Sequence, residues 1–289
     1  MLKNAISLQP MILFSPAKIN IGLLITRRRD DGYHDLQSVM HPVGLYDLIE
    51  IMETEDSDRG ITFTDSGIPS GASRENNLCM RACELYGNMN PLPPLRLHLH
   101  KQIPVGAGLG GGSSDASATL KGINMLVGRP LPEHKLEELA ASVGSDCPFF
   151  LRAGTMMVEG RGERLTPLSL RLEHLYLVLL NPGIHVSTAA AYREIQPAAP
   201  EAHLGTLIRE PIEKWRNLIV NDFEVPLFKR HPLLKELKQG LYQAGALYAS
   251  MSGSGSSVYG FFRKPPSLPD ALDHFAIWKG GAGCALTPV

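Results

Sequence analysis

The 289-residue chain has no long apolar run; its longest unbroken one is Leu175–Leu180, Leu-Tyr-Leu-Val-Leu-Leu. A bilayer-crossing helix needs about 20 such residues, so no transmembrane helix is expected. Asn4, Ser7, Gln9 and Pro10 break the first fourteen residues, which therefore lack the apolar core of a secretory signal. Residues 1–10 read as a disordered tail, with Met11 available as an alternative start. Neither sign of charge dominates. The 28 Lys+Arg against 29 Asp+Glu leave a net charge of −1, which gives no bulk attraction to nucleic acid or an anionic membrane. Cysteine is scarce. Cys79, Cys83, Cys147 and Cys284 are too few and too irregular for a disulfide framework, and this usage fits the cytoplasm. Internal repeats and low-complexity tracts are absent.

What remains is an ordinary folding composition, 44% hydrophobic and 20% charged. The length allows two domains or one large one. A chain of this size buries about three quarters of its unfolded surface and needs no covalent staples. Ile12–Phe14 and Ile19–Ile25 read as strand, and Pro16 between them predicts a bulge or an edge. Asp31-Gly32 marks a turn inside a polar loop. Leu45–Ile51, Gly60–Phe63, Leu95–His100, Thr155–Glu159, Leu175–Leu180, Ala246–Met251 and Ser257–Phe262 read as further strands. Helices are expected over Asn76–Tyr86, Ser113–Val127, Glu133–Val143, Ser187–Glu194, Gly205–Val220, Pro232–Ala244 and Ala271–Trp278. Strands and helices mix without strict alternation, which favours α+β over a doubly wound sheet. Two spacings invite a metal reading and do not sustain it. Cys79 and Cys83 lie four apart on a helix with no histidine pair, and His98 and His100 share a strand face with no third ligand in view.

Pro104-Val105-Gly106-Ala107-Gly108-Leu109-Gly110-Gly111-Gly112-Ser113-Ser114-Asp115 carries the chemistry, with five glycines in twelve residues. The stretch sits between a strand and a helix. Glycines let successive backbone N–H groups converge on an anion, and the following helix adds its positive end. Ser113, Ser114 and Asp115 are candidate caps. Phosphate is the expected ligand; the alternative is a flexible hinge. The familiar phosphate loops fit poorly. Gly106-x-Gly108-x-x-Gly111 meets the dinucleotide pattern, but the acidic residue about 20 positions on, Glu133, begins a helix. The Gly-Lys-Ser/Thr of the P-loop is missing, and so are the HRD and DFG triplets of protein kinases.

The loop does resemble the ATP loop of the GHMP small-molecule kinases. Ser15-Pro-Ala-Lys-Ile-Asn20, Asp31-Gly-Tyr-His34 and Gly144-Ser-Asp-Cys-Pro-Phe149 narrow the resemblance to the branch that acts on a CDP-linked methylerythritol. Ser252-Gly-Ser-Gly-Ser-Ser257 is similar to the family's C-terminal glycine motif. The likeness runs from about Leu13 to Phe262, loosely between Glu201 and Val220. It implies a two-lobed α+β fold: a ribosomal protein S5 domain 2-like N-terminal lobe over residues 11–163, and a ferredoxin-like α/β-sandwich C-terminal lobe over 164–289. It implies transfer of the ATP γ-phosphoryl to the 2-hydroxyl of the acceptor, in the non-mevalonate route to isoprenoids. Mg²⁺ would accompany the nucleotide, with metal ligands unassigned beyond a hydroxyl such as Ser113 or Ser114. No obligate protein partner is implied. Other family kinases (homoserine or mevalonate type) and a non-catalytic nucleotide sensor are the alternatives.

Carried over position by position, Asp146 is the base for the attacking hydroxyl and Lys18 its cationic neighbour. Phosphoryl transfer needs positioning and charge neutralisation more than covalent chemistry, which suits that pair. On its own, Asp146 before Cys147-Pro148 also reads as a helix cap, and Lys18 as a surface lysine. By the same resemblance Asn77 and Lys101 join residues 104–114 around the nucleotide. Asn20, Tyr33, His34, Thr188 and Tyr192 join Asp146 around the acceptor, with Tyr33 and Tyr192 as stacking faces for cytosine. In the absence of the resemblance, Tyr33 and His34 would read as surface residues and Tyr192 as a core aromatic. Asp115 stands where relatives vary between Asn and Asp.

Overall fold

The computed structural model describes residues 9–55, 60–69, 71 and 73–283. The tail at 1–8 and Cys284 lie outside them.

Two long strands, β1 (Met11–Arg28) and β2 (His34–Glu53), form an antiparallel hairpin that is the spine of the first sheet. Their pairing slips between Pro16 and Ala17, where Pro16 faces Tyr46 but Ala17 faces Val43. The proline cannot donate to a ladder, and a bulge absorbs it. The strand therefore continues through the expected interruption. At the tip, Gly32 adopts a φ of 83° and Asp31 accepts a hydrogen bond from the Tyr33 N–H at 3.1 Å. The turn is thus confined to a few residues, and it presents Tyr33 and His34 where the strands meet solvent.

Among the described residues the first sheet is completed by β3 (Ile61–Gly67), β4 (Leu95–Lys101), β5 (Met156–Gly160) and β6 (Arg164–Pro167). Against it pack α1 (Leu78–Met89), α2 (Gly111–Leu126), α3 (Glu133–Val143) and the short α4 (Cys147–Leu151). A second, four-stranded antiparallel sheet has β10 (Ala276–Gly281), β7 (Tyr176–Leu180), β9 (Val258–Phe262) and β8 (Tyr248–Met251) in that order. Its helices are α5 (Thr188–Glu194), α6 (Leu204–Leu207), α7 (Ile212–Leu218), α8 (Glu224–Arg230), α9 (Pro232–Gln243) and α10 (Asp270–Asp273). The change of sheet falls between Pro167 and Tyr176, a few residues past 163, because β6 pairs with β5. Ile19, Ile21 and Val39 of the first sheet share a core with Leu177, Leu179 and Phe261 of the second. Each such side chain contributes about 1.5–3 kcal/mol by leaving water, so the two sheets hold one another in register.

Three expectations are corrected. The helix read over Gly205–Val220 is two, α6 and α7, because Pro211 has no N–H to continue the first; it starts the second instead. The stretch Ala271–Trp278 is a single turn followed by strand β10, whose edge pairing with β7 outweighs local helix preference. Ser113, Ser114 and Asp115 do not cap α2. The cap is Gly110, in the left-handed region, and all three residues lie inside the helix.

Candidate active site

The glycine loop joins β4 to α2 and folds back on the core. Its first helical hydrogen bond runs from the Ser114 N–H to the Gly110 carbonyl at 2.9 Å. The N–H groups of Gly111, Gly112 and Ser113 come before it and have no helical acceptor. Gly110, Gly112 and Ser113 line a cavity of about 540 Å³ at the positive end of α2, together with Lys18, Asn20, Asn77 and Asp146. Two glycines are required by geometry. Gly110 has a φ of 71°, and a Cβ there would lie 2.8 Å from the Phe150 ring and 3.0 Å from the Lys18 stem. Gly108 has a φ of 78°, and a Cβ there would lie 2.0 Å from the Ser252 carbonyl oxygen.

That second contact brings the two glycine-rich motifs together. The Ser257 N–H donates to the Ala107 carbonyl at 3.1 Å, and the Ser252 hydroxyl to the Gly108 carbonyl at 2.8 Å. Asn221 holds the far side, its amide donating to the Met251 and Gly253 carbonyls. Nothing local in the sequence marked Asn221; it acts through contacts thirty residues away.

Lys18 is buried. Its ammonium donates to the Asn20 side chain at 2.5 Å and lies 3.8 Å from the Asp146 carboxylate. Burial lowers the affinity of Lys18 for its proton, and Asp146 offsets part of that. The surface-lysine alternative does not hold. Asn20 is fixed in turn, donating to Ser38 at 2.8 Å. Asp146 stands at the head of α4 and makes no side-chain capping bond. Its carboxylate, 30% exposed, is left facing Lys18 and the cavity. Asp146 therefore holds the N-cap position, as the cap reading expects, without committing its side chain to a capping bond.

Tyr33, His34 and Tyr192 line a second cavity of about 970 Å³. The His34 and Tyr192 rings lie 5.4 Å apart at 31°, and Tyr192 rests edge-on against Phe223 at 4.9 Å. Burial, then the charge of Arg28, lowers the proton affinity of His34 and favours the neutral ring. Burial, with the Asp146 charge, raises Tyr192 to about 12 and keeps its hydroxyl protonated. Tyr33 is 59% exposed. Ser145, Thr188 and Tyr192 line both cavities, so the two meet beside Asp146. Thr188 opens α5, its hydroxyl 3.0 Å from that of Ser254. Both volumes lie in the range that holds a ligand, about 300–1,000 Å³.

Asn77 lines the first cavity while capping α1, accepting from the Cys79 N–H at 2.9 Å. Lys101 lines it too, but its ammonium is held by two buried carboxylates, Asp115 at 2.8 Å and Asp47. The two carboxylates take two of the three ammonium donors, so Lys101 supports the loop from beneath while still lining the cavity. Asp47 also accepts from the Gln102 and Ile103 N–H groups at 2.6 and 2.9 Å, tying down the loop entrance. Ser113 lines the cavity, whereas Ser114 is buried beneath it. His98 bonds Thr64 and Ser66, and His100 bonds Ser66. No cluster of three metal-binding side chains occurs among the described residues. Cys79 and Cys83 are buried, with thiols held protonated by that burial.

A glycine-rich loop at a helix N-terminus, a buried lysine and a carboxylate facing it are an arrangement suited to phosphoryl transfer. The profile of the GHMP kinases N terminal domain matches residues 77–154, and that of the GHMP kinases C terminal domain matches 204–277. A protein of Parabacteroides distasonis named 4-diphosphocytidyl-2-C-methyl-D-erythritol kinase is 46% identical, covering 93% of this chain and 99% of that one. A crystal structure of 4-(cytidine 5'-diphospho)-2C-methyl-D-erythritol kinase superposes with a TM-score of 0.78 at 33% identity, over 93% of this chain and 98% of that one. Homoserine kinase from Cytophaga hutchinsonii shares the fold at 18% identity, with a TM-score of 0.68 over 95% and 90% of the two chains. The chain belongs to the 4-diphosphocytidyl-2-C-methyl-D-erythritol kinases, a family of phosphotransferases.

Proposed function

We propose that the protein transfers the γ-phosphoryl group of ATP to the 2-hydroxyl of the methylerythritol part of a CDP-linked acceptor. The products are ADP and a 2-phosphate ester, a step of non-mevalonate isoprenoid synthesis. The observation that carries this reading is the placement of Asp146 and Lys18 where the two cavities meet. Residues 104–114 and the N-terminus of α2 cradle the ATP phosphates, with Asn77 at the nucleotide end. Tyr33, His34 and Tyr192 take cytosine in the other cavity, and Asn20 and Thr188 contact the acceptor between them. Asp146 accepts the proton of the attacking hydroxyl. Lys18, tethered to Asn20, holds that carboxylate in place and steadies the charge that develops on the transferring group.

The donor set suits Mg²⁺ arriving with the nucleotide. Asp146 and Ser113 are protein oxygens lining the cavity, and the phosphates would supply the rest. The ion would neutralise charge on the β- and γ-phosphates. Division into two lobes, with the boundary past β6 rather than at 163 and the cleft between them as the site, belongs to the same proposal.

An ADP-release assay with Mg-ATP tests it. The CDP-linked methylerythritol is compared with the same sugar phosphate lacking cytidine, with homoserine and with mevalonate. Turnover of the first alone is expected. Turnover of another acceptor would discard the cytosine pocket. ATP binding with no turnover of any acceptor would favour the nucleotide sensor. Asp146→Asn should bind the acceptor and lose about 10²–10⁴ in kcat; an active variant would remove Asp146 as the base.

A further inference from the structure

Three arginines line the aromatic cavity beside Tyr33, His34 and Tyr192: Arg28, Arg161 and Arg193. They come from separate elements. Arg28 ends β1 and is register partner to His34, Arg161 sits in the turn between β5 and β6, and Arg193 follows Tyr192 on α5. Among the described residues none of the three has a carboxylate within ion-pair distance. The contrast is with their neighbours. Arg27 and Arg29, on the same hairpin, are bound to Asp35 and to Asp31 and Asp35. The acidic residue lining the cavity, Glu163, is turned to its own loop, accepting from the Arg161 N–H at 2.6 Å. The Arg161 guanidinium lies over the Tyr33 ring, 5.2 Å from its centroid. That stacking limits its freedom while leaving its donors available.

Three like charges lining one cavity repel, Arg161 being partly offset by the nearby Asp31, and an anion bound among them would lower that repulsion. Guanidinium forks match phosphate oxygens two at a time. We infer that Arg28, Arg161 and Arg193 bind the diphosphate of the acceptor, and so select a nucleoside diphosphate over an uncharged nucleoside. This rests on the function proposed above and adds the groups that recognise the linker. The linker joins cytosine, placed at the aromatic rings, to the hydroxyl at Asp146. The arginines line the same cavity as the aromatic rings, and that cavity shares Ser145, Thr188 and Tyr192 with the one that holds Asp146.

All three side chains are exposed, so their replacement leaves the core intact. Calorimetric titration of cytidine, CDP and inorganic diphosphate is made on the wild type and on Arg28→Gln, Arg161→Gln and Arg193→Gln. The wild type should bind CDP on the order of 100-fold more tightly than cytidine, and each variant should cut that ratio about tenfold. Cytidine affinity and the KM for ATP should stay within about twofold. Arg161→Lys, which keeps the charge but not the fork, should fall between. An unchanged CDP-to-cytidine ratio in all three variants overturns the inference. So does an equal loss for cytidine, or tighter binding of free inorganic diphosphate than of CDP. Because the titration needs no turnover, it reads the arginines even where the wild type fails the acceptor assay, a failure that would count against the proposed function instead.

Discussion

Replacing Asp115 by asparagine removes one titratable carboxyl from a buried set in which a single ammonium, Lys101, faces the side chains of Asp47 and Asp115. The three side chains are 3%, 0% and 2% exposed. Burial is the main force on Asp115 and pushes its carboxyl up to about 8; Lys101 holds it back and Asp47 adds to it. Burial alone would push Lys101 down, but the two carboxylates outweigh it and leave the ammonium above its ordinary value. Cys79, facing Asp115 from α1, is kept protonated by its own burial. An aspartate in an unfolded chain titrates near 3.9. Between that value and about 8, the folded protein therefore holds a proton that the unfolded chain has lost. Stability is greatest below this window and falls as pH rises through it. From pH 6 to pH 8 the loss comes to about 2 kcal/mol. Asparagine carries its hydrogens at every pH; it can donate to Asp47 and accept from Lys101. Unfolding is followed for both proteins at pH 6, 7 and 8. The wild type should lose about 2 kcal/mol more than the variant over that range, roughly 4–8 °C in Tm. Parallel curves would show that Asp115 is ionised throughout and would refute the shared-proton reasoning. Lys101→Met, by contrast, leaves the buried Asp47 and Asp115 pair without its cation and should cost about 3–5 kcal/mol at pH 7.

Gly108→Ala should break the contact between the two glycine motifs. The left-handed backbone alone costs about 1–2 kcal/mol, and a Cβ 2.0 Å from the Ser252 carbonyl forces the loops apart; a raised KM for ATP with a lowered Tm is expected, and unchanged values of both would refute it. Tyr192→Ala should weaken cytidine binding by about 1–3 kcal/mol, the worth of one stacked base, with ATP binding little altered. Titration with each ligand checks this, and equal losses for both would mean that the ring only braces Phe223.

Strands, glycine loop and the pairing of Lys18 with Asp146 were legible in the sequence because their signals are local. Pro16 announces a bulge, and five glycines before a helix announce an anion cradle. The resemblance then converted Lys18 and Asp146 from ambiguous residues into a pair. What stayed hidden depends on long-range packing. Lys101 precedes the loop in sequence and invites a nucleotide contact, yet Asp47, 54 residues earlier, turns it inward. Residues 276–281 have no strong strand pattern; they become a strand because β7 has a free edge to fill. Asn221 and Asp47 carry no motif, since each serves by bonding backbone that arrives from elsewhere in the chain.

The same distinction explains how the site is held. Lys18 is placed by a hydrogen bond from its own N–H to the Leu109 carbonyl at 2.9 Å, which ties it to the glycine loop. Asp146 arrives on a different element, and α4 is pinned to α2 by the Ser117 hydroxyl, which donates to the Cys147 carbonyl at 2.8 Å. Helix α2 thus opens at the glycine loop and, one turn later, anchors the element that carries Asp146. On the proposed function, a change that tilts α2 would misplace the loop and Asp146 together, which is why the buried Lys101, Asp47 and Asp115 set beneath it matters for the site above.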